Sequence, residues 1–322
     1  ELDTALAKVN SNSIISSDML LGKKVSQWIV FAKAMKLKLY MRSSFAEDNS
    51  AKIMTLVNDP ELVMTSDIKM AIYSDAAEKR NPWYECNWSG SGLGTYNNIA
   101  TYPIISYLKS TNDPRMSALY KKAANKGEYL GLIPGSKTKM PSGTKTNDYS
   151  FPIMTATTPV YFYTVSELNF FKAEAEARWG TNAAAKADYE AAIDANFNLH
   201  GTSGASAFVA TDAISWDKAT NLEQKLKLIG LQKWVALCMV NHFEGWTEIR
   251  RLHYPAFSAS AASDIYSDES LYTPGDLIVP WVNNLGGTKV VKRVPFPETA
   301  VNYNKNTPAQ VAVSTPVWWD VR

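Results

Sequence analysis

Five aromatic side chains close together, Trp83, Tyr84, Trp88, Tyr96 and Tyr102, are the residues in this sequence best suited to hold a ligand. They lie in NPWYECNWSGSGLGTYNNIATY (81–102), interleaved with Asn87, Asn97 and Asn98. Sugar rings present apolar C–H faces on which exposed aromatic rings stack, and asparagine amides offer donors and acceptors to hydroxyls. The glycines and asparagines of the stretch argue against a packed helix, so it reads as a ligand-facing loop. The competing reading makes the same rings anchors that tie the loop to the body of the protein. A second constellation is Glu244, Glu248, Arg250 and Arg251. Paired guanidiniums could clamp a carboxylate. A partly buried ion network tying one helix to its neighbours is the preferred reading of these charges.

Catalytic motifs are absent. The sequence holds no HExxH, GxSxG or P-loop, and no GxGxxG after a strand. His200, His242 and His253 lack metal-ligand spacing, so no metal ligand and no cofactor is assigned. SGSGLG (89–94) has neither a lysine nor a following helix, which argues against a phosphate cradle. Glycoside hydrolysis needs two carboxylates across a cleft. Glu174 and Glu176 do not qualify, because residues two apart on a helix face different ways. No catalytic residue is assigned. Cys86 and Cys238 are too few for a disulfide scaffold; Cys238 reads as a core thiol, and pairing of the two stays open.

Composition narrows the rest. Basic and acidic residues nearly balance, 33 against 31, and no polybasic patch marks a nucleic-acid surface. No apolar run is long enough to span a bilayer. ELDTALAKVN, at the start, reads as a helix already under way, with sequence upstream expected and no signal peptide.

The elements that must position these residues are mostly helical. Helices are expected at Lys24–Phe45 and at Ser50–Val57, the latter closed by Asn58-Asp59-Pro60. The run 164–180 carries Thr164 or Ser166 as cap and Gly180 as stop, and is followed by a second helix at 181–197. Alanines and Tyr189 let these two approach closely, the pattern of a tetratricopeptide-like hairpin; Asn10–Phe45 is a candidate degenerate repeat. A long run, 222–246, carries Leu228, Leu231, Val235, Cys238 and His242 on one stripe and is expected to be buried on most sides. Short strand-like pieces occur at Leu271–Val282 and Lys289–Pro297. Trp281, Trp318 and Trp319 are further ligand candidates or core plugs, and Asp113-Pro114-Arg115 reads as a turn lock.

Six segments stand in order along the chain: TNDPRM (111–116), PIMTATTPVYFYTVSELNFFKAEAEARWG (152–180), ADYEAAIDANF (187–197), LQKWVALCMVNHFEGWTEIRRLHYP (231–255), KRVPFPETAVNYN (292–304) and VWWD (317–320). Together they resemble the SusD/RagB family of outer-membrane nutrient-binding lipoproteins, and more closely its SusD-like second subfamily. The resemblance implies a single, mainly α, SusD-like domain over 1–322, lacking its N-terminal portion. Its helical framework would occupy 1–73 and 159–255, with a loop-rich ligand-facing insertion at 74–158 and an irregular C-terminal segment at 256–322. One departure is His253, where relatives usually carry a small residue before Tyr-Pro.

The same resemblance implies a function: a lipid-anchored, outward-facing outer-membrane protein that binds oligosaccharide or peptide and hands it to a TonB-dependent, SusC-like transporter. The anchor would lie on the missing N-terminal portion, and no chemistry on the ligand is implied. The stretch before the last helical hairpin contributes to the binding surface in related proteins, which again points to Trp83, Tyr84, Trp88, Tyr96, Asn97, Asn98 and Tyr102. A helical glycoside hydrolase and a pure interaction scaffold remain as alternatives.

Overall fold

The computed structural model describes every residue except 10–12, 14 and 90–97. Helices carry the fold: α1 (Leu2–Lys8), α2 (Val25–Ser43), α3 (Ser50–Val57), α4 (Pro82–Asn87), α5 (Tyr102–Ser110), α6 (Met116–Leu119) and α7 (Val165–Trp179). They continue with α8 (Asn182–Leu199), α9 (Ala205–Val209), α10 (Leu222–Leu237), α11 (His242–Leu252), α12 (Ala262–Ser267) and α13 (Glu298–Tyr303). Sheet is confined, among the described residues, to two antiparallel pairs. β1 (Ile68–Met70) pairs with β4 (Val160–Tyr163), and β2 (Tyr120–Lys121) with β3 (Phe151–Pro152).

The hairpin of α7 and α8 is the centre, and local sequence explains it. Thr164 accepts from the Glu167 N–H at 3.0 Å and starts α7. Thr181 does the same for the Ala184 N–H at 3.2 Å and starts α8. Between them, Gly180 leaves room for the Glu176 carboxylate, which a Cβ would overlap. Phe170, Ala173, Ala185, Tyr189, Ala192 and Ile193 close the seam in full burial. The small side chains bring the backbones near, and Ser166 Oγ donates to the Ala192 carbonyl at 2.8 Å. The other face of α7 offers Leu168, Phe171 and Ala175 to Ala34, Leu37 and Met41 of α2 and Ile53 and Leu56 of α3.

α10 completes the core by facing two ways: Ile229 and Ala236 meet the α8 side, while Leu231 and Val235 meet Ile104, Ile105 and Leu108 of α5. The expectation of a single helix over 222–246 needs correction. α10 ends at Leu237, Met239 takes a left-handed φ of 58°, and Asn241 restarts the helix by accepting from the Glu244 N–H at 3.1 Å. A good cap residue inside an apolar run has ended one helix and begun another.

Two more expectations are corrected. The 81–102 stretch is not all loop. Asn81 Oδ1 accepts from the Trp83 and Tyr84 N–H groups at 2.9 and 3.1 Å, Pro82 fits the first turn, and α4 forms despite the nearby glycines. Leu271–Val282 and Lys289–Pro297 form no strand, since Pro274, Pro280, Pro295 and Pro297 remove ladder donors. In the first piece only an isolated bridge, Leu277 to Phe257, is made.

Candidate functional site

A groove lined by four tyrosines opens between α5, the segment 129–149, and α12 with the residues that follow it. Tyr102, Ser106 and Lys109 come from one face of α5, at the spacing that stacks side chains on successive turns. Tyr129 and Tyr149 come from the insertion, and Tyr266 and Glu269 from the chain after the helical framework. Gly131 lets the insertion lie flat on the start of α5. Its missing Cβ would come 2.5 Å from the Thr101 carbonyl, and the Tyr102 N–H reaches the Leu132 carbonyl at 2.8 Å. Its volume, about 520 Å³, lies within the range of small-molecule binding sites.

The groove is polar at its hydroxyls and flat at its rings. Burial pushes the Tyr102 hydroxyl up to about 12, helped by the neighbouring Glu269 carboxylate. Burial also raises Tyr149. Both therefore stay protonated at neutral pH and keep a donor. Tyr102 is braced edge-on by Tyr272 at 5.2 Å between ring centres, and Tyr266 rests on Trp281 at 5.3 Å. Tyr266 remains 41% exposed, a ring open to solvent on a supported base. Among the described residues lining the groove, Glu269 is the sole carboxylate.

The residues singled out from sequence divide between two places. Tyr102 lies in the groove. Trp83, Tyr84 and Trp88 form a separate half-buried cluster on and just after α4: Tyr84 stacks on Trp88 at 6.5 Å, and Trp83 meets Trp88 edge-on at 6.0 Å. Trp83 also packs edge-on against His242 at 4.6 Å, which ties α4 to the start of α11. Asn98 donates to Asn87 Oδ1 at 2.7 Å, and Asn87 donates to the Trp83 carbonyl at 2.9 Å, so both amides brace this cluster. Tyr96 and Asn97 lie outside the described residues. Tyr129, Tyr149 and Tyr266 were not legible as a site. They are single tyrosines far apart in the sequence, and only the fold brings them together.

A family model described as starch-binding and associating with the outer membrane, the SusD-like second subfamily, matches residues 1–271. The chain belongs to the SusD-like family. Its structure is similar to a SusD homologue from Bacteroides vulgatus with a TM-score of 0.77, at 25% identity over 99% of this chain and 68% of that one. A chitin-binding SusD homologue from Flavobacterium johnsoniae gives a TM-score of 0.76 at 22% identity, covering 99% of this chain and 70% of that one. A homologue from Bacteroides uniformis gives 0.75 at 21% identity, covering 100% and 71%. None of the curated proteins matches the sequence.

In this SusD-like chain the charged end of α11 is framework. Arg251, fully buried, donates to Glu174 Oε1 at 2.7 Å and to Glu248 Oε2 at 2.7 Å. Lys233 reaches Glu248 at 2.8 Å, and Lys38 bridges Glu167 and Glu244 at 2.7 and 3.0 Å. Burial alone would raise the Glu248 carboxyl, yet Arg251 and Lys233 hold it well below the usual carboxylate range. Arg115 is likewise enclosed. It donates to Asp113, to Asn196 Oδ1 at 2.7 Å and to Gln232 Oε1 at 2.7 Å, locking the Asp-Pro-Arg turn to α8 and α10. Arg250, also buried, makes no ion pair with this network and donates instead to the Lys292 and Trp246 carbonyls and to Thr247. The thiols of Cys86 and Cys238 are free. Among the described residues no cluster of His, Cys, Asp or Glu could hold a metal ion, and no helix is long and apolar enough to cross a membrane.

Proposed function

We propose that this protein is a cell-surface glycan-binding protein that holds an oligosaccharide in the tyrosine groove and delivers it to a TonB-dependent, SusC-like transporter. The observation that carries the reading is the groove itself. Tyr102, Tyr129, Tyr149 and Tyr266 offer ring faces and hydroxyls within one groove, which Ser106, Lys109 and Glu269 also line. That combination matches sugar rings, which are apolar on their C–H faces and ringed by hydroxyls. Membership of a family described as starch-binding and outer-membrane-associated supports it, as does fold likeness to a chitin-binding homologue. Outward-facing placement at the outer membrane, with a lipid anchor, follows from the same family reading. Binding is favoured over cleavage because Glu269 has no second carboxylate beside it among the described groove-lining residues, and glycosidases work with a pair.

The test is affinity electrophoresis against neutral polysaccharides, including starch and chitin oligomers, with assay for released reducing ends. Retardation without release is expected. Tyr266→Ala and Tyr149→Ala should weaken retardation by about tenfold each while leaving the melting temperature nearly unchanged, because neither ring lies in the core. Steady release of reducing ends would refute the binding reading, and unaltered retardation in both variants would remove the groove from it.

A further inference from the structure

A second groove, of about 480 Å³, runs between α11 and the C-terminal segment, and its chemistry differs from the first. It is lined by Phe243, Trp246, Phe296, Trp318 and Trp319 together with Arg42, Arg250 and Arg293. Trp318 is 62% exposed and Phe243 is 67% exposed, so the aromatic lining faces solvent.

The guanidiniums are the informative part. Arg42 is neutralised by Glu244 and Glu248. Arg250 has no carboxylate within ion-pair distance among the described residues; it donates to the Lys292 carbonyl at 2.5 Å, to Thr247 Oγ1 at 3.2 Å and to the Trp246 carbonyl at 3.4 Å. Arg293 also has no carboxylate partner among the described residues, and donates to the Thr315 and Pro316 carbonyls at 3.0 and 2.8 Å. The nearby acids are already engaged: Asp320 by His253 and Lys292, Glu244 by Lys38 and Arg42. The guanidinium carbon of Arg250 lies 3.4 Å from the centre of the Trp246 ring and 4.8 Å from that of Trp319, so the fork is held between these rings and its three hydrogen bonds. Arg250 is buried without a direct ion pair, and Asp320 and Glu244 act on it only at longer range, so an anion entering the groove would meet two held cations at once.

We propose that this second groove binds an acidic saccharide, with the anionic group of one sugar, a carboxylate or a sulfate ester, held between Arg250 and Arg293 and the neighbouring ring stacked on Trp318. The proposal rests on the glycan-binding reading and extends it to charged glycans at a site separate from the tyrosines. An exposed tryptophan, Trp318, beside held guanidiniums suits a sugar face bearing an anion. A peptide carboxylate is the competing occupant.

The experiment is calorimetric titration with galacturonate oligosaccharides, their fully methyl-esterified forms, sulfated galactan oligosaccharides and aromatic tripeptides, each at low and raised salt. One or both acidic glycans should bind, the methyl esters should bind at least about tenfold more weakly, and salt should weaken the acidic binding. Arg293→Gln and Trp318→Ala, both at the surface, should each weaken acidic-glycan binding by about tenfold while the Tyr266 groove still takes neutral glycan. Comparison of galacturonate with the sulfated galactan separates the two sources of anion. Equal affinity for acid and ester, an unaffected Arg293→Gln, binding of tripeptide alone, or no acidic glycan bound would each overturn the proposal. If neutral glycans bind and acidic ones do not, this inference falls and the proposed function stands. If no glycan of either kind binds, both fall.

Discussion

At the residue scale the fold's buried polar groups divide into those with partners and those without. Arg115 has a partner for each edge of its fork, while among the described residues His200 Nε2 is buried with none. Burial, aided by the positive charge of Arg115, pushes the His200 imidazole down to about 4. The folded state therefore refuses a proton that the unfolded chain accepts near pH 6.5. The stability this contributes is fully present above pH 6.5 and is lost as pH falls toward 4. Between pH 7 and pH 4.5 the loss from this one group is about 2–3 kcal/mol. His200→Gln cannot titrate, so its denaturant midpoint should fall less on acidification than that of the parent; equal falls would show that His200 is protonated in the fold. His253 is the opposite case. It ends α11 at a left-handed φ of 56°, where a small residue is easier to place, and Asp320 holds its ring at 2.8 Å. The departure from the family pattern seen in the sequence thus has a local compensation.

At the element scale two glycines sit inside helices, and their surroundings differ. Gly230 lies in α10 where a Cβ would come 2.6 Å from Tyr254 Cβ, so the chain leaving α11 is packed directly on that helix. Gly245 lies in α11 with nothing nearer to its Cβ position than Leu237 Cβ at 3.7 Å, an ordinary contact. Gly230→Ala is expected to destabilise by about 1–3 kcal/mol through overpacking. Gly245→Ala should stabilise by about 0.5–1 kcal/mol, because the helix interior disfavours glycine. Chemical denaturation of both variants checks the pair, and destabilisation by the second would mean that α11 sits closer to its neighbours than 3.7 Å implies. These helices also show what the sequence makes legible. The α7–α8 hairpin was readable because Thr164, Thr181 and Gly180 act within a few residues of the helix ends they define. The break at Met239 was not, because an apolar run looks periodic on either side of it, and only Asn241 marks the restart. The tyrosine groove was hardest to see. Tyr102 stood out among neighbouring aromatics, whereas Tyr129, Tyr149 and Tyr266 are single rings far apart in the sequence, joined only by tertiary folding.

At the scale of the whole molecule the helical framework and the groove have separate origins. The cores formed by α2, α3, α7, α8 and α10 close on themselves through buried apolar seams and the Arg251–Glu174–Glu248 network. The groove lies outside those seams, where Tyr129 and Tyr149 of the insertion meet Tyr266 and Glu269 of the later chain across α5. A ligand that touches both segments binds the folded arrangement and not the unfolded chain, so it must raise the apparent stability of the whole. At a hundredfold excess over Kd the gain is about 2.7 kcal/mol. For a chain of 322 residues the unfolding entropy converts that into a rise in Tm of about 4 °C. Protection from amide exchange should rise in 129–149 and 262–274 together, because the ligand bridges them, while amides of the α7–α8 hairpin should be slowed only through global unfolding. Tyr266→Ala should lose most of the thermal shift at the same glycan concentration. Protection gained in α4 instead, with no change at 262–274, would move the binding surface to the Trp83–Trp88 cluster.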